Sequence, residues 1–338
     1  MSRTPAETVL HGGDLDAARR QFPGAPTPWI DLSTGINPRA YPLPAVDSDA
    51  WYRLPQVSAE HTLRRAAAQR YRTSDPEMVV CAPGTQALIQ ILPRLVAPTR
   101  VAVLSPTYAE HAIAWRREGH DVAEVSSLSS TGDARVVILV NPNNPTGCLT
   151  SPNDLRILAA ELRARDGLLV VDEAFADVLP IGASIVPDLP PATVVLRSFG
   201  KMYGLAGLRL GFAIAQRDMA ERLHDALGPW AVAGPALSIG AAALADDRWL
   251  EASLRTLELA CQRLDAMLSS GGCEVLGGTA LFRLIRYRSA QRLADDLGRQ
   301  GIHVRRFREQ PEWLRFGLPG HEQEWQRLER ALQVVGHT

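Results

Sequence analysis

The chain contains 338 residues, of which 46% are hydrophobic and 22% are charged, and its formal net charge is −1. This length favours one large domain or two unequal domains, and the balanced charge argues against a nucleic-acid or membrane surface. No apolar run approaches the roughly 20 residues that span a bilayer, and the first residues lack the apolar region of a signal peptide. We therefore expect a cytoplasmic protein that binds neither nucleic acid nor membrane.

The four cysteines have neither the spacing of a metal site nor that of a redox motif. We expect buried, reduced thiols, with a bridge between the last two as the alternative; the four are Cys81, Cys148, Cys261 and Cys273. No metal site is predicted.

The predicted elements begin with an irregular arm over residues 1–50, which is rich in Gly, Pro and Asp and carries one short helix near residues 14–20. From about Leu63, apolar runs alternate with helical stretches such as residues 153–166; the runs are MVVCAPG, RVAVLSP, ARVVILVNP, GLLVVDEAF, ATVVLRSFG and RLGFAIA. Such runs are typical of strands buried on both faces, and the alternation predicts a mostly parallel sheet flanked by helices. We expect this large α/β domain to occupy residues 51–228.

The remaining residues, 229–338, predict a smaller α+β domain. The connector GPWAVAGPAL precedes an amphipathic helix over residues 246–269. Further elements follow in the order strand, strand, helix, strand, strand and helix, near residues 273–276, 280–285 and 289–300, in IHVRRF, in WLRFGL and from Glu322 onward.

Two motifs that follow predicted strands can bind a small molecule. In CAPGTQALIQIL, the helix start at Gly84, Thr85 and Gln86 can direct N–H groups at a phosphate; the alternative is an ordinary helix start with a threonine cap. In NPNNPTG, the X-Pro steps can hold Asn144 in one hydrogen-bonding pose, and the alternative is a plain tight turn.

A third strand end carries acidic residues. The string VVDEAF resembles the acidic strand end of a P-loop ATPase, but the chain's lysine is followed by Met202, which excludes the P-loop sequence. An unpaired buried charge is costly, so we expect Asp172 to be a buried carboxylate that faces a cation.

The fourth motif, RSFGKMYGLAGLRLGF, contains the only lysine among the 36 Lys and Arg residues, Lys201. A lysine amine can lose its proton and attack a carbonyl, whereas a guanidinium stays charged. Ser198 and Arg209 flank this lysine and suit a phosphate bound beside it. A lysine, an acidic partner and a phosphate cradle are the groups that pyridoxal phosphate requires.

The motifs NPNNPTG, DEAF, SFGK and GLRLG, in this order, resemble the class I/II aminotransferase superfamily of fold type I over nearly the whole chain. The resemblance implies the pyridoxal-phosphate-dependent transferase fold and a homodimer. It implies that Lys201 binds the cofactor as a Schiff base, that Asp172 pairs with the pyridinium nitrogen and that Tyr108 of SPTYAEH stacks on the ring. The other implied cofactor contacts are Asn144 for the ring oxygen O3′ and, for the phosphate, Gly84, Thr85, Gln86, Ser198 and Arg209.

One residue departs from the superfamily pattern. Phe175 stands where many members have a tyrosine that also donates to O3′. Since phenylalanine cannot donate, we expect Asn144 to hold O3′ alone and the Schiff base to keep its proton to a higher pH.

Within the superfamily, the strings HGGDLDAARRQF, WIDLSTGINPRAYPLP, RSFGK and GPWAVAGPAL resemble the threonine-phosphate decarboxylases of cobalamin biosynthesis, especially the aerobic-pathway branch. This resemblance implies a carboxy-lyase that converts L-threonine O-3-phosphate to (R)-1-aminopropan-2-yl phosphate. It implies that the arm contributes to the smaller domain and that the substrate contacts are His11, Asn37, Asn144, Arg305 and Arg315. Two alternatives stay open: an aminotransferase of the histidinol-phosphate type, and a non-catalytic regulatory domain that binds the cofactor.

Overall fold

The structure is a computed structural model, and it describes residues 12–180 and 182–335. Within these residues the strands are β1 Ile30–Leu32, β2 Val79–Ala82, β3 Arg100–Leu104, β4 Asp121–Val125, β5 Val136–Val140, β6 Leu168–Asp172, β7 Thr193–Ser198, β8 Gly211–Ala215, β9 Glu274–Thr279, β10 Phe282–Arg286, β11 Ile302–Arg306 and β12 Trp313–Gly317. The helices are α1 Leu15–Gln21, α2 Asp49–Tyr52, α3 Val57–Tyr71, α4 Thr85–Ile91, α5 Glu110–Arg117, α6 Pro152–Arg163, α7 Phe199–Met202, α8 Arg217–Leu227, α9 Gly234–Leu244, α10 Asp247–Ser270, α11 Ala290–Arg299 and α12 Glu322–Val335.

The described chain forms two compact units. The larger comprises Ile36–Glu258 and Gly278–Leu281, and the smaller comprises the described parts of Met1–Gly35, Leu259–Gly277 and Phe282–Thr338. The predicted division into residues 1–50, 51–228 and 229–338 stays a prediction.

A seven-stranded sheet forms the centre of the larger unit, in the order β2-β8-β7-β6-β5-β3-β4. Five adjacent strands are parallel to one another, namely β7, β6, β5, β3 and β4. Strand β8 runs antiparallel to both of its neighbours, β7 and β2. Every residue of β5, β6, β7 and β8 is buried, because apolar side chains fill both faces of the sheet. The prediction of a mostly parallel sheet is confirmed; its inner strands are buried, whereas β4 at the edge is half-buried or exposed.

The helices of the larger unit bury one apolar face each. In α6 the buried residues recur at helical spacing, as Leu155, Leu158, Ala159 and Leu162. The hydroxyl of Ser151 caps this helix by accepting from the amide of Asp154. The helix ends three residues before the predicted limit, because Asp166 takes a left-handed φ of 52° that no α-helix continues.

A five-stranded sheet forms the smaller unit, in the order β1-β11-β12-β10-β9. β1 is parallel to β11, while β12 is antiparallel to both β11 and β10. Along α11 the buried positions follow the helical period, as Ala290, Leu293, Ala294 and Leu297. The predicted strands and helices of the C-terminal residues are present, including the long helix α10.

The cysteines depart from expectation at one position. Cys81, Cys261 and Cys273 are buried thiols, so the alternative bridge between the last two does not occur in this described part of the chain. The expectation of a buried thiol is wrong for Cys148, which is exposed. It lies in the turn after β5, where its carbonyl accepts from the amide of Asn143, rather than in a buried strand.

No helix within residues 12–180 and 182–335 is long and apolar enough to cross a bilayer. Over the same residues, no group of three or more His, Cys, Asp or Glu side chains is arranged to hold a metal ion.

Candidate active site

The strand register brings the four predicted motifs to one edge of the larger sheet. Strands β2, β5, β6 and β7 point the same way, and β8 begins where they end. Asp172 lies opposite Val140 on β5 and Leu196 on β7. Gly211 lies opposite Ser198 on one side and Ala82 on the other. The carboxyl ends of parallel strands are where ligands bind in such sheets, so this edge is the candidate active site.

The predicted phosphate cradle is formed by close backbone approaches. Gly84 precedes α4 with a φ of 85°, and a Cβ atom at this position would lie 2.6 Å from Nη2 of Arg209. A Cβ atom at Gly211 would lie 2.6 Å from the amide nitrogen of Thr85. Only glycine allows these close approaches, which bring the start of α4 together with the guanidinium of Arg209 and with the strand β8 that pairs with Ser198. These groups fit a phosphate.

Lys201 lies in the short helix α7, directly after β7. Its Nζ lies 5.6 Å from the centroid of the Phe175 ring. The carbonyl of Lys201 accepts from the backbone amide of Asn37 at 2.9 Å. An ammonium that faces an aromatic ring is favourable.

Asp172 contacts a buried histidine that the sequence patterns did not single out, and its predicted pairing with a cation stays a prediction. Nε2 of His111 lies 2.8 Å from Oδ2 of Asp172, and both side chains are buried. The other carboxylate oxygen accepts from the amide of Ala174 at 2.9 Å. His111 belongs to the string SPTYAEH and shares the buried face of α5 with Trp115. A histidine on an otherwise apolar helix face is the signal that could have revealed it.

A buried arginine that pairs with two carboxylates lies next to Asp172 in the sheet. Nη1 of Arg197 donates to Glu173 at 2.7 Å and Nη2 donates to Asp177 at 2.5 Å, while the guanidinium lies over the ring of Tyr71. Burial opposes the charge of Arg197, but the two carboxylates outweigh it and raise its pKa. This cluster ties the residue after Asp172 to the strand that leads into Lys201.

The side chain of Tyr108 is fixed by a hydrogen bond to Gln86. The Tyr108 hydroxyl donates to Oε1 of Gln86 at 3.2 Å, and Nε2 of Gln86 donates to Glu110 at 2.7 Å. The Tyr108 ring lies edge-on to His111, with 6.1 Å between ring centroids. The side chain of Gln86 therefore positions an aromatic ring, in addition to the phosphate contact predicted for its backbone.

The NPNNPTG turn is held by its first two asparagines. Asn141 bonds both backbone groups of Thr150, and Asn143 accepts from Thr107 at 2.6 Å and donates to the carbonyl of Pro106 at 3.0 Å. The turn is therefore fixed to the loop that carries Tyr108. Asn144 follows and is half-buried.

In the smaller unit, Arg305 on β11 lies directly opposite Arg315 on β12. Arg315 is buried, and its Nη2 donates to the carbonyl of Ser33 at 2.8 Å. Burial and the neighbouring Arg305 lower the pKa of Arg315 to about 9. Like charges on opposed strand positions destabilise a sheet, and a bound anion relieves that cost.

The two remaining predicted substrate residues have different outcomes. Asn37 is buried in the larger unit, where its Nδ2 donates to the carbonyl of Met202 at 2.9 Å and to the Ser253 hydroxyl at 2.8 Å. Both amide hydrogens are thus used within the protein, so its predicted substrate contact stays a prediction. His11 lies outside the described residues.

The chain has the fold of an α/β protein with a lysine at the carboxyl edge of its main sheet. A histidinol-phosphate aminotransferase from Sinorhizobium meliloti, solved in complex with pyridoxal-5'-phosphate, has the same fold: the TM-score is 0.82 at 21% identity, over 100% of this chain and 98% of that one. A family model for aminotransferase class I and II matches residues 28–335. The chain belongs to this family, and the predicted fold type is confirmed.

Two relatives are similar over nearly their whole length. A threonine-phosphate decarboxylase from Pseudomonas aeruginosa is 44% identical, over 95% of this chain and 96% of that protein. A second threonine-phosphate decarboxylase, from a Sinorhizobium species, is 42% identical, over 96% and 97%. The similarity to this group that the N-terminal strings predict is confirmed.

Proposed function

We propose that this chain is a pyridoxal-phosphate-dependent carboxy-lyase that converts L-threonine O-3-phosphate to (R)-1-aminopropan-2-yl phosphate and carbon dioxide, a step of cobalamin biosynthesis. The observation that carries the choice of substrate is the near-full-length similarity to two threonine-phosphate decarboxylases. The opposed arginines of the smaller unit support a substrate with more than one anionic group.

The cofactor fits the larger unit on three observations. Gly84 and Gly211 allow the guanidinium of Arg209 and the backbone amide of Thr85 to approach closely, and these are groups that can bind a phosphate. The single lysine follows the neighbouring strand, and a buried carboxylate, Asp172, ends the next one. When bound, pyridoxal phosphate supplies an electron-accepting ring that makes loss of a carboxylate group feasible.

The larger unit's residues have these proposed roles. Lys201 would bind the cofactor through Nζ, and Asp172 would keep the ring nitrogen protonated. His111 holds Asp172 in place through the 2.8 Å contact. Tyr108 would contact the ring and Asn144 would donate to its O3′ oxygen.

For the phosphate of the cofactor, the proposed contacts are those of the cradle. The phosphate would accept hydrogen bonds from the backbone amides of Thr85 and Gln86, from the Ser198 hydroxyl and from the Arg209 guanidinium. Gly84 permits their approach, since any side chain there would meet the guanidinium.

The substrate's anionic groups are proposed to meet Arg305 and Arg315, with His11 and Asn37 as further contacts. The bond between Cα and the carboxylate carbon breaks, carbon dioxide leaves and one proton takes its place on Cα. We assign that proton to the amine of Lys201, because a lysine amine can transfer protons and Lys201 is the only lysine of the chain.

A homodimer in the cytoplasm is the proposed assembly and location. The larger unit exposes a run of large apolar side chains, which supports a second copy as partner; they are Leu43, Trp51, Tyr52, Leu54 and Val57. Sedimentation of the purified holoenzyme at the mass of two chains is the expected result.

The test is a product assay with L-threonine O-3-phosphate. Stoichiometric release of carbon dioxide with formation of the aminopropanol phosphate is expected. Accumulation of pyridoxamine phosphate without carbon dioxide, or amino transfer to 2-oxoglutarate from histidinol phosphate, would instead establish the aminotransferase alternative. Cofactor absorbance without turnover of any amino acid would favour the regulatory alternative.

A further inference from the structure

A fully buried serine of the smaller unit, Ser33, connects the end of β1 to Arg315. Its carbonyl accepts from Nη2 of Arg315 at 2.8 Å. Its backbone amide and its hydroxyl both donate to Oδ1 of Asp31, at 2.9 Å and 2.5 Å. One carboxylate oxygen therefore organises the turn that presents a carbonyl to the guanidinium.

The same serine fastens the described start of the N-terminal arm. The amide of Gly13 donates to the Ser33 hydroxyl at 2.7 Å. A Cβ atom at Gly12 would lie 2.3 Å from the Ser33 carbonyl oxygen, so only glycine allows the arm to pass here. The oxygens of Ser33 thus bind the arm, the carboxylate and the arginine at one buried point.

Asp31 also balances charge in this region. On the paired strand β11 it lies opposite His303, and His303 is two residues before Arg305. Burial and Arg305 lower the pKa of Arg315, and Asp31 opposes that shift. The hydrogen bonds to Ser33 leave Asp31 in a fixed position from which its charge favours the cationic form of Arg315.

We propose that Asp31 and Ser33 are positioning residues for Arg315: they fix the direction of its guanidinium and preserve its charge, so that it meets a substrate anion in one geometry. This inference rests on the proposed function only in taking Arg315 as the group that binds the substrate. Neither residue needs to touch the substrate for this role. A loosened arginine binds an anion less tightly but leaves the chemistry at Lys201 unchanged.

The test uses the holoenzyme and two variants that separate the two effects. Ser33→Ala removes the hydroxyl and its bonds to Asp31 and Gly13 but keeps the carbonyl. Asp31→Asn keeps an acceptor for the Ser33 amide but removes the charge. We expect each variant to raise KM for L-threonine O-3-phosphate about 10-fold, as for the loss of one hydrogen bond or charge contact, with kcat within about twofold of wild type.

Two matched controls exclude a general effect of such changes. Asp75 accepts from the amide two residues ahead at 2.9 Å and pairs with Arg217, as an acidic turn outside the site. Ser151 donates to Asp154 at 2.7 Å and accepts its amide at 3.1 Å. Asp75→Asn and Ser151→Ala should keep the wild-type KM. Equal KM values in all four variants, or a fall in kcat alone in the test pair, would overturn the inference.

A second readout needs no turnover. Inorganic phosphate should raise the melting temperature of the wild-type holoenzyme, in which the cofactor already fills its own cradle. This rise should vanish in Arg315→Gln and shrink in the two test variants. If Arg315→Gln loses the response while Asp31→Asn and Ser33→Ala keep it in full, the positioning role is wrong. If these variants weaken the response but the wild type releases no carbon dioxide, the proposed function fails and the positioning role stands.

Discussion

The two sheets of this protein differ in which charged side chains lie next to each other. In the larger unit the carboxylates at the sheet edge contact basic side chains: Asp172 contacts His111, and Glu173 contacts Arg197. In the smaller unit two arginines, Arg305 and Arg315, occupy opposed positions on neighbouring strands, and burial together with Arg305 lowers the pKa of Arg315 to about 9. The larger unit thus places acidic beside basic side chains, whereas the smaller unit places basic beside basic ones.

This difference matches two kinds of ligand. A cofactor that stays bound is best served by a rigid edge whose charges are already compensated, since nothing has to move when it binds. A substrate that enters and leaves in each cycle gains affinity from positive charges that are directed at its anionic groups. Substitutions in each unit therefore affect binding of different ligands.

The largest effect is expected from Lys201→Arg in the larger unit. Arginine keeps the positive charge but cannot form the covalent bond or release the proton, so turnover should fall by at least about 10³-fold. The measurement is carbon dioxide release together with the visible absorbance of the purified protein. A variant that stays yellow and active would show that another group attaches the cofactor.

The next effect is expected from Arg315→Gln in the smaller unit. Loss of a buried charge contact costs about 2 to 5 kcal/mol, so KM for the phosphorylated substrate should rise at least about 30-fold. Arg286→Gln on the neighbouring strand β10 is the control, because Arg286 pairs with Glu274 at the surface. An unchanged KM in Arg315→Gln would show that Arg315 does not bind the substrate.

A smaller effect is expected from Gly84→Ala at the cofactor cradle. The added methyl group meets Nη2 of Arg209 and requires a left-handed backbone, so the cofactor should dissociate about 10-fold more readily. Gly119→Ala is a matched control, because Gly119 has the same φ of 85° and no atom within 4 Å of the added Cβ. Equal cofactor retention in both variants would show that the cradle tolerates a side chain.

The smallest effect concerns pH. Since the pKa of Arg315 is lowered to about 9, its charge is complete below that pH and is lost as the pH rises through it. Binding an anion then requires uptake of a proton, so KM should rise about twofold between pH 8 and pH 9 and about fivefold between pH 9 and pH 10. A flat KM up to pH 10 would show that Arg315 keeps its charge without a ligand.

The sequence predicted the elements whose signal is local. Continuous apolar runs revealed β5, β6 and β7, and helical spacing revealed α6 and α10 to within three residues at each end. The strand β4 was missed because its residues are half-buried or exposed, so it lacks the continuous apolar character of the inner strands.

The contacts that organise the site depend on pairs far apart in the chain, which no local pattern encodes. His111 meets Asp172 across 61 positions, and Ser33 meets Arg315 across 282. The sequence located Asp172 and Arg315 through motifs that end or form strands. It did not supply their partners, because these contacts follow from how the elements pack together; the position of His111 on the apolar face of α5 was the one local signal.

The most direct test of the account is the site of cofactor attachment. Borohydride treatment of the holoenzyme converts a reversible carbon–nitrogen double bond into a stable amine, which peptide mass analysis can locate. Because Lys201 is the only lysine, the result is unambiguous: the account predicts a cofactor adduct on the peptide that contains Lys201. An adduct on any other peptide, or an intact holoenzyme with no adduct, would contradict it.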